Sequence, residues 1–338
     1  MLNQEIEKQI RYAKEKSSYY REKLKDEYGD IRELPFTSGS DIADDPYAFL
    51  CIPLKDVERI HTITTSGTDR KKKIFFSEND VSRNQSYLSH GMGAVIKPGD
   101  SCAVLFPQSG TGGLTDILMK ALADIGVSSE TPYFPDDVEK TIHGCGGKNC
   151  IIGMPSDIMY ILRTAPELKP ESVLLSGDYI PEAVKNAVRD VWNAEVYEHY
   201  GMTETGFGGA LSDHTGKGML IRSDDLFIET VDPETGAGLG NGEPGELVIT
   251  TLNREAMPLI RYRTGDIGVL SMDGKYIKKV FGRNDGDSAL LRKFADDLLA
   301  VPNIKGFTAH KENGQVSLSI SRIGCAKEMQ LPGKMRFM

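Results

Sequence analysis

Three apolar runs decide the fold of this sequence: SCAVLFP at residues 101–107, NCIIGMP at 149–155 and SVLLSGD at 172–178. Each run ends at a turn-forming Pro or Gly, and stretches of helical periodicity lie at 114–126 and 181–193. This alternation predicts an α/β fold with a parallel sheet covered by helices. In such sheets ligands bind at the carboxyl ends of the strands, in the turns that close the three runs.

The sequence pattern changes after about residue 215, where strand-like segments replace the alternation of strands and helices. Strand-like segments separated by DPETG, GNGEPG and MDG turns continue as far as Gly282 and predict a β-rich subdomain. Residues 289–323 then read as one amphipathic helix and two strands, and the polar segment GRNDGDS precedes them. We therefore predict a large N-terminal domain over residues 1–284 and a small α+β C-terminal lobe over 285–338.

Composition narrows the classes of function. The chain has 338 residues, 39% of them hydrophobic, and a formal net charge of -9 from 49 acidic and 40 basic side chains. This balance argues against a general nucleic-acid binder. The polar start and the lack of a long apolar window predict a cytoplasmic protein with no membrane contact. The five cysteines do not form a disulfide pattern, and we interpret Cys145 and Cys150 as ordinary thiols rather than metal ligands.

Three motifs could carry chemistry. The first, TITTSGTDRKKK at Thr62–Lys73, could bring backbone amides, hydroxyls and lysines to an anion, although a solvated charge run has the same appearance. The second, YEHYGMTETGFGG at Tyr197–Gly209, places Glu204 where a single carboxylate could bind Mg²⁺ beside phosphate oxygens, or merely cap a turn. In the third, MPLIRYRTGDIG at Met257–Gly268, Asp266 could accept hydrogen bonds from ribose hydroxyls or occupy an ordinary β-turn.

The order of these motifs is more specific than any one of them. TTSGT, SGD, YGMTE, YRTGD and GRND follow one another along the chain. In this order they resemble the adenylate-forming superfamily of acyl-CoA synthetases. SSYYREKL, LPFTSGSDI and GELVITTLNREAMPLIRYRTGD make the sequence most similar to phenylacetate–CoA ligases over roughly residues 10–285. The fold implied is an adenylate-forming domain with a C-terminal lobe that is shorter than usual.

The resemblance also implies roles for individual residues. A phosphate loop would grip the ATP phosphates, a second turn would line the adenine pocket, and further side chains would contact the α-phosphate, ribose and Mg²⁺. In that order the residues are Thr65, Ser66, Gly67 and Thr68; Ser176, Gly177 and Asp178 with Tyr200 beside the adenine; and Thr203, Asp266 and Glu204. Arg283 would assist at the nucleotide, and Asp285 would lie at the hinge of the C-terminal lobe. The acyl pocket would be walled by Phe106-Pro107-Gln108, Pro155 and His199–Thr205.

The sequence departs from the family pattern at two places. Asp69 and Arg70 stand where the phosphate loop normally has Thr and Gly, and Arg70 lacks the conformational freedom of glycine. The family's adenylation lysine lies near the C-terminus in a PxGK-like context, which LPGKMRFM offers as Lys334. A solvated lysine on a frayed tail is the alternative interpretation of Lys334. Some relatives bind zinc after YGxTE, but His214 and Asp213 alone predict no metal there.

The resemblance implies an AMP-forming acid–thiol ligase that uses ATP, Mg²⁺ and CoA. It would convert an aryl or other small organic acid to an acyl-adenylate and pyrophosphate, and CoA would then displace AMP. The shortened lobe leaves open an acceptor other than CoA, and the altered phosphate loop leaves open a degenerate nucleotide-binding protein of weak catalytic power. The sequence does not determine the acid or the oligomeric state, although homodimers are the commonest assembly of soluble enzymes.

Overall fold

The computed structural model of the protein describes residues 4–64, 71–312 and 314–322. The helices in chain order are α1 (Gln4–Lys16), α2 (Ser18–Lys23), α3 (Gly39–Asp44), α4 (Glu78–Met92), α5 (Leu114–Asp124), α6 (Val138–Cys145), α7 (Pro155–Thr164), α8 (Glu182–Ala187) and α9 (Gly286–Leu299). The strands are β1 (Arg59–Thr64), β2 (Lys71–Phe76), β3 (Ser101–Leu105), β4 (Ser128–Glu130), β5 (Cys150–Gly153), β6 (Ser172–Leu175), β7 (Glu195–Tyr200), β8 (Ala210–Ser212), β9 (Met219–Ile221), β10 (Leu226–Val231), β11 (Pro244–Thr251), β12 (Tyr262–Leu270), β13 (Tyr276–Arg283), β14 (Ile304–Glu312) and β15 (Gln315–Arg322).

The described residues divide into two compact units. The first unit consists of the described residues within Met1–Tyr87, Gly201–Ala210 and Lys217–Val280. The second unit consists of the described residues within Leu88–Tyr200, Leu211–Gly216 and Phe281–Met338. Each unit has its own apolar core. No helix in the described ranges is long and apolar enough to cross a membrane.

The second unit contains the predicted parallel sheet, with strand order β7-β6-β5-β3-β4. The apolar runs of β5 and β6 are buried along their whole length, as expected for strands covered by helices on both faces. Trp192 packs into the same core and donates a hydrogen bond from Nε1 to the carbonyl oxygen of Ala165 at 3.3 Å. The predicted α/β class is confirmed.

The C-terminal segment contributes α9 and the antiparallel hairpin β14–β15, as the sequence predicts. Ala295, Leu299 and Phe307 are buried in the core of the second unit. The guanidinium of Arg163 on α7 donates from Nη2 to the carbonyl oxygen of Leu299 at 2.5 Å, which satisfies one carbonyl at the end of α9. The division of the chain at residues 284 and 285 stays a prediction.

The first unit contains the predicted β-rich region, in which the strand order is β10-β11-β12-β13-β9. β10, β11 and β12 pair in antiparallel fashion, and β1 and β2 form a separate antiparallel pair. The N-terminal helices pack on this unit through buried side chains that include Ile10 and Tyr20. The Tyr20 hydroxyl accepts a hydrogen bond from the Ile260 amide at 2.9 Å, so the N-terminal helices fix the segment that leads into β12.

Candidate active site

Glu204 lies in the first unit, in a single 3₁₀ turn formed by Thr203–Thr205. The turn ends at Gly206, whose φ of 73° is in the left-handed region that favours glycine. A Cβ at Gly206 would lie 2.1 Å from Nδ2 of Asn84, so this glycine also allows α4 to approach closely. The turn therefore holds Glu204 on a short backbone segment in which any side chain at residue 206 would force Asn84 to shift.

The carboxylate of Glu204 belongs to a buried group of three side chains. Lys72 on β2 forms an ion pair with Oε1 of Glu204, and the two side chains are 10% and 7% exposed. The Tyr262 hydroxyl at the start of β12 donates to the same oxygen at 2.8 Å. The ammonium of Lys72 in turn donates to the Tyr262 hydroxyl at 2.9 Å, which closes the group.

The ion pair determines the charge of Glu204. Burial alone raises the pKa of a carboxyl because it removes hydration from the charged form. At Glu204 the charge of Lys72 and the hydrogen bonds from Lys72 and Tyr262 outweigh this effect and hold the pKa below its usual range. The fold thus keeps an ionised carboxylate in a nearly dry environment, where its interactions with cations are stronger than in water.

Asp266 lies on β12, four residues after Tyr262, and is buried. It follows Gly265, whose φ is 76°, and its backbone amide donates to Oγ1 of Thr264 at 3.0 Å. Thr203 opens the turn that holds Glu204. The first unit therefore brings Thr203 and Glu204 together and places Asp266 on the strand that supplies Tyr262.

The predicted adenine turn lies in the second unit, directly after β6. The hydroxyl of Ser176 is 2.8 Å from Nδ1 of His199 on the neighbouring strand β7. Gly177 has a φ of 86°, which favours glycine at this point of the turn. The Asp178 carboxylate accepts a hydrogen bond from the Tyr179 amide at 2.7 Å.

Three further predicted residues, which belong to the second unit, lie at the ends of secondary-structure elements. Tyr200 ends β7 and is buried, and Arg283 ends β13. The carbonyl oxygen of Arg283 accepts a hydrogen bond from Nη1 of Arg292 at 3.0 Å. Asp285 caps α9, because its carboxylate accepts a hydrogen bond from the Ser288 amide at 2.6 Å. The predicted hinge residue is thus also the N-terminal cap of a helix.

Several residues predicted to wall the acyl pocket lie in the second unit, and their role stays a prediction. Phe106 is buried after β3, and Pro155 is the first residue of α7 after β5. Gln108 is exposed, and its Nε2 donates to Oγ1 of Thr131 at 3.3 Å. The phosphate-loop residues Thr65, Ser66, Gly67 and Thr68 and the proposed catalytic Lys334 lie outside the described residues.

A magnesium ion at this site would be held by one carboxylate rather than by a protein cage. In the described part of the chain, no group of three or more His, Cys, Asp or Glu side chains could hold a metal. Magnesium is usually bound by one or two carboxylates together with phosphate oxygens, and the ionised Glu204 suits that role. Elsewhere, Cys145 and Cys150 are buried free thiols, and Nδ1 of His214 lies 3.2 Å from the Tyr197 hydroxyl.

Sequence reasoning missed Lys72, Tyr262 and the pairing of Ser176 with His199. Lys72 is the middle residue of three consecutive lysines in a strand, and Tyr262 lies inside the YRTGD motif. Side chains alternate between the two faces of a strand, so Lys72 points away from the face that Lys71 and Lys73 share. This alternation could have singled out Lys72, but no sequence signal names Glu204 as its partner.

Comparisons with known proteins show similarity to AMP-binding enzymes and to phenylacetate–coenzyme A ligases. Residues 119–253 match the family model of the AMP-binding enzymes. The chain is 25% identical over 346 residues to phenylacetate–coenzyme A ligase of Thermus thermophilus, an alignment that covers 92% of this chain and 74% of the relative. It is 26% identical over 289 residues to phenylacetate–coenzyme A ligase of Pseudomonas putida, covering 78% of this chain and 63% of that protein.

The fold is shared with a solved acyl-CoA ligase. A crystal structure of 2-hydroxyisobutyryl-CoA ligase in the postadenylation state superposes with a TM-score of 0.76 at 18% identity, and covers 94% of this chain and 76% of that one. The predicted resemblance is confirmed: the chain is similar to the adenylate-forming enzymes, and to phenylacetate–CoA ligases in particular. It spans less than two thirds of the Pseudomonas protein and about three quarters of the Thermus protein.

Proposed function

We propose that this phenylacetate–CoA ligase-like chain activates an organic carboxylic acid with ATP and passes the acyl group to the thiol of CoA. The observation that supports the proposal most directly is the buried, ionised Glu204 with its Lys72 and Tyr262 partners. Glu204 follows strand β7 along a chain that is similar to phenylacetate–CoA ligases over most of its length.

The first step forms an acyl-adenylate. A carboxylate is a poor electrophile, because its oxygens are anionic and none is a good leaving group. One carboxylate oxygen attacks the α-phosphorus of ATP, the bond from that phosphorus to the bridging oxygen breaks, and pyrophosphate leaves. Charge on the phosphates must be neutralised in the transition state, and electrostatic stabilisation of this kind is the main contribution of protein groups to such reactions.

Glu204 is the residue that we propose to hold magnesium on the ATP phosphates, and the ion would neutralise phosphate charge. Lys72 and Tyr262 keep the Glu204 carboxylate ionised and fixed in position. A rigid carboxylate costs little reorganisation during the reaction, which is the property that electrostatic catalysis requires. We assign Lys72 and Tyr262 as positioning residues on this basis.

The remaining nucleotide contacts are proposals carried over from the resemblance. Asp266 is proposed to bind the ribose hydroxyls, Thr203 the α-phosphate, and Tyr200 the adenine. The phosphate loop, the adenine turn and the two cationic side chains complete the set: Thr65, Ser66, Gly67, Thr68, Ser176, Gly177, Asp178, Arg283 and Lys334. A hydrogen bond between a ribose hydroxyl and the buried carboxylate of Asp266 would be shielded from water.

The second step transfers the acyl group. The sulfur of CoA attacks the carbonyl carbon of the acyl-adenylate, the bond from that carbon to the phosphate oxygen breaks, and AMP leaves while the thiol proton passes to solvent. The products are an acyl-CoA thioester and AMP. CoA is the proposed acceptor, because phenylacetate–coenzyme A ligases are the relatives that cover most of the chain.

Pyrophosphate release tests the proposal. The protein is incubated with ATP and Mg²⁺ against a panel of organic acids, with and without CoA, and both pyrophosphate and the acyl product are measured. We expect release that depends on one class of acid, together with an acyl-CoA product when CoA is present. Acid-dependent release with no acyl-CoA would indicate another acceptor. ATP binding without release for any acid would replace the proposal with a nucleotide-binding protein of weak catalytic power.

A further inference from the structure

A polar pair occupies the carboxyl edge of the parallel sheet in the second unit. Leu175 of β6 lies opposite Glu198 of β7, so the next residues, Ser176 and His199, become neighbours across the two strands. Their side chains meet, with Oγ of Ser176 2.8 Å from Nδ1 of His199. This edge is where α/β sheets bind their ligands.

Apolar side chains lie beside Gly177, the residue that follows Ser176. A Cβ built on Gly177, the residue next to Ser176, would lie 3.4 Å from both Cγ of Met154 and Cε1 of Phe106. Phe106 and Met154 follow β3 and β5 and are buried. Two consecutive residues thus differ in their surroundings: Ser176 meets the imidazole of His199, and Gly177 approaches an aromatic ring and a methionine side chain. Small-molecule sites combine apolar walls with a few polar groups of this kind.

The pair carries no charge at neutral pH. Burial lowers the pKa of His199 to about 4, so the imidazole is neutral. A serine hydroxyl can donate one hydrogen bond and accept two, and its bond to Nδ1 uses only one of these. Depending on the tautomer of His199, Ser176 retains a donor or an acceptor, and a hydroxyl group on a ligand can satisfy either one.

We propose that the side chain of Ser176, which the resemblance assigns to the adenine turn, instead acts with His199 to determine specificity by recognising a hydroxyl group on the body of the acid. The substrates are then monocarboxylic hydroxy acids with an otherwise apolar body. This inference rests on the proposed function. The reacting carboxylate supplies the chemistry, the side chains of Phe106 and Met154 contact the hydrocarbon part, and the Ser176–His199 pair binds the hydroxyl. A neutral pair offers no countercharge, so a second carboxylate on the acid would lose hydration without compensation.

The expected selectivity is large because the pair is partly buried. A site built to bind a substrate hydroxyl leaves its own polar groups unsatisfied when the analogue lacks that hydroxyl, and such sites discriminate by far more than a methylene does. We define the hydroxyl preference as kcat/KM for a hydroxy acid divided by kcat/KM for the acid without the hydroxyl. We expect a preference of about 10 or more for at least one matched pair of acids.

The experiment measures pyrophosphate release with wild-type protein and four variants. The acid pairs are phenylacetate with para-hydroxyphenylacetate, phenylacetate with mandelate, and propanoate with lactate. Ser176→Ala and His199→Leu each remove one member of the polar pair, and His199→Asn keeps a polar atom near the position of Nδ1. Ser212→Ala is the matched control, because the Ser212 hydroxyl accepts a hydrogen bond from the backbone of β7 and lies outside the pair.

We expect Ser176→Ala and His199→Leu to reduce the hydroxyl preference at least fivefold, whatever happens to absolute rates, while Ser212→Ala retains it. His199→Asn should restore a preference between those of His199→Leu and wild type, which a purely structural role for the histidine would not produce. The hydroxyl preference is a ratio of two kcat/KM values, so an effect of the substitution on ATP binding that is equal for both acids cancels. Thermal melts of each variant confirm that it is folded.

Two other outcomes overturn the inference, and they are distinguishable. Acid-dependent release with a preference near one for every pair, or a preference that Ser176→Ala and His199→Leu leave unchanged, refutes the recognition of a hydroxyl while the proposed function stands. Absence of release with every acid refutes the proposed function and the inference with it.

Discussion

Replacing Lys72 with Met tests whether the ammonium group keeps Glu204 ionised inside the first unit. Methionine retains most of the apolar stem of lysine, so the change in packing is small while the charge is lost. Removing one partner of a buried ion pair costs about 3–5 kcal/mol, because the other charge is left uncompensated. The hydrogen bond from Tyr262 remains and offsets about 1 kcal/mol. We therefore expect Lys72→Met to lower the free energy of unfolding by roughly 3 kcal/mol at about pH 8.

The pH dependence identifies the cause of this loss. In the wild-type protein the folded-state pKa of Glu204 is lowered, so its contribution is present above the unfolded value of about 4.3 and is lost as pH falls through the folded pKa. Without Lys72, burial dominates and the folded pKa rises above the unfolded value. The contribution of Glu204 in the variant is then present below about pH 4.3 and is lost as pH rises. The stability difference between the two proteins should therefore grow between about pH 5 and pH 8.

Urea denaturation followed by circular dichroism measures this difference, in EDTA and without nucleotide. Lys73→Met is the matched control, because Lys73 is the neighbouring lysine on β2 and donates to the hydroxyl of Tyr47 in an exposed contact. Exposed contacts of this kind contribute within about 0.5 kcal/mol, so the control should unfold nearly as wild type. Equal losses for Lys72→Met and Lys73→Met, or a loss at Lys72 that does not change with pH, would refute the reasoning.

Three other predictions follow from the described side chains. Glu204→Gln should reduce acid-dependent pyrophosphate release by about 100-fold or more with the fold intact, and wild-type turnover would remove Glu204 from the proposed metal-binding role. Burial lowers the pKa of His199 to about 4, so between about pH 6.5 and pH 4 the unfolded chain binds a proton at this histidine that the folded chain does not. Urea titrations should therefore show a loss of up to about 3 kcal/mol in the free energy of unfolding as pH falls from about 6.5 towards 4. His199→Asn should abolish this pH dependence. Gly206→Ala places a Cβ 2.1 Å from Nδ2 of Asn84 at a left-handed φ, so the urea midpoint should fall by an amount equivalent to about 1–3 kcal/mol, and an unchanged midpoint would contradict the close approach.

Local pattern was sufficient to predict most of the fold. The runs at 101–107, 149–155 and 172–178 contain β3, β5 and β6, and each run ends within three residues of its strand. The β-rich region after about residue 215 and the C-terminal helix and hairpin also follow from periodicity and turn residues. These features depend on neighbours in sequence, and hydrophobic periodicity reports such local preferences well.

The sequence predicted residues of the candidate site only where those residues belong to a recognised motif. The resemblance singles out Glu204 and Asp266, but it does not reveal that Lys72 and Tyr262 bind the Glu204 carboxylate. Such contacts depend on which distant segments fold together. The Ser176–His199 pair likewise depends on the register between β6 and β7, and a shift of one residue in that register would separate the two side chains.

The packing of α9 bears on whether residues 285–338 form a separate lobe, as the sequence predicts. The sequence predicts a separate lobe over residues 285–338, whereas Leu299 at the end of α9 is 2% exposed and lies in the core that holds Trp192. Trp192 is the single tryptophan of the chain, so fluorescence excited at wavelengths that tyrosine does not absorb reports the unfolding of the core that holds Trp192. A substitution at Leu299 can therefore show whether α9 is an integral part of the core or a lobe that docks on it.

Leu299→Ala should shift the Trp192 transition in urea by an amount equivalent to about 2–5 kcal/mol, because a buried leucine truncated to alanine loses both transfer free energy and packing. Ile320→Ala on the partly exposed face of β15 is the control and should change the midpoint by less than about 0.5 kcal/mol. If α9 belonged to an independently folding lobe, the lobe would unfold first and the Trp192 midpoint would not move. A shifted midpoint would mean that any movement of this segment during catalysis must first remove Leu299 from the core. The energy for that movement would have to come from binding the acid, ATP or CoA.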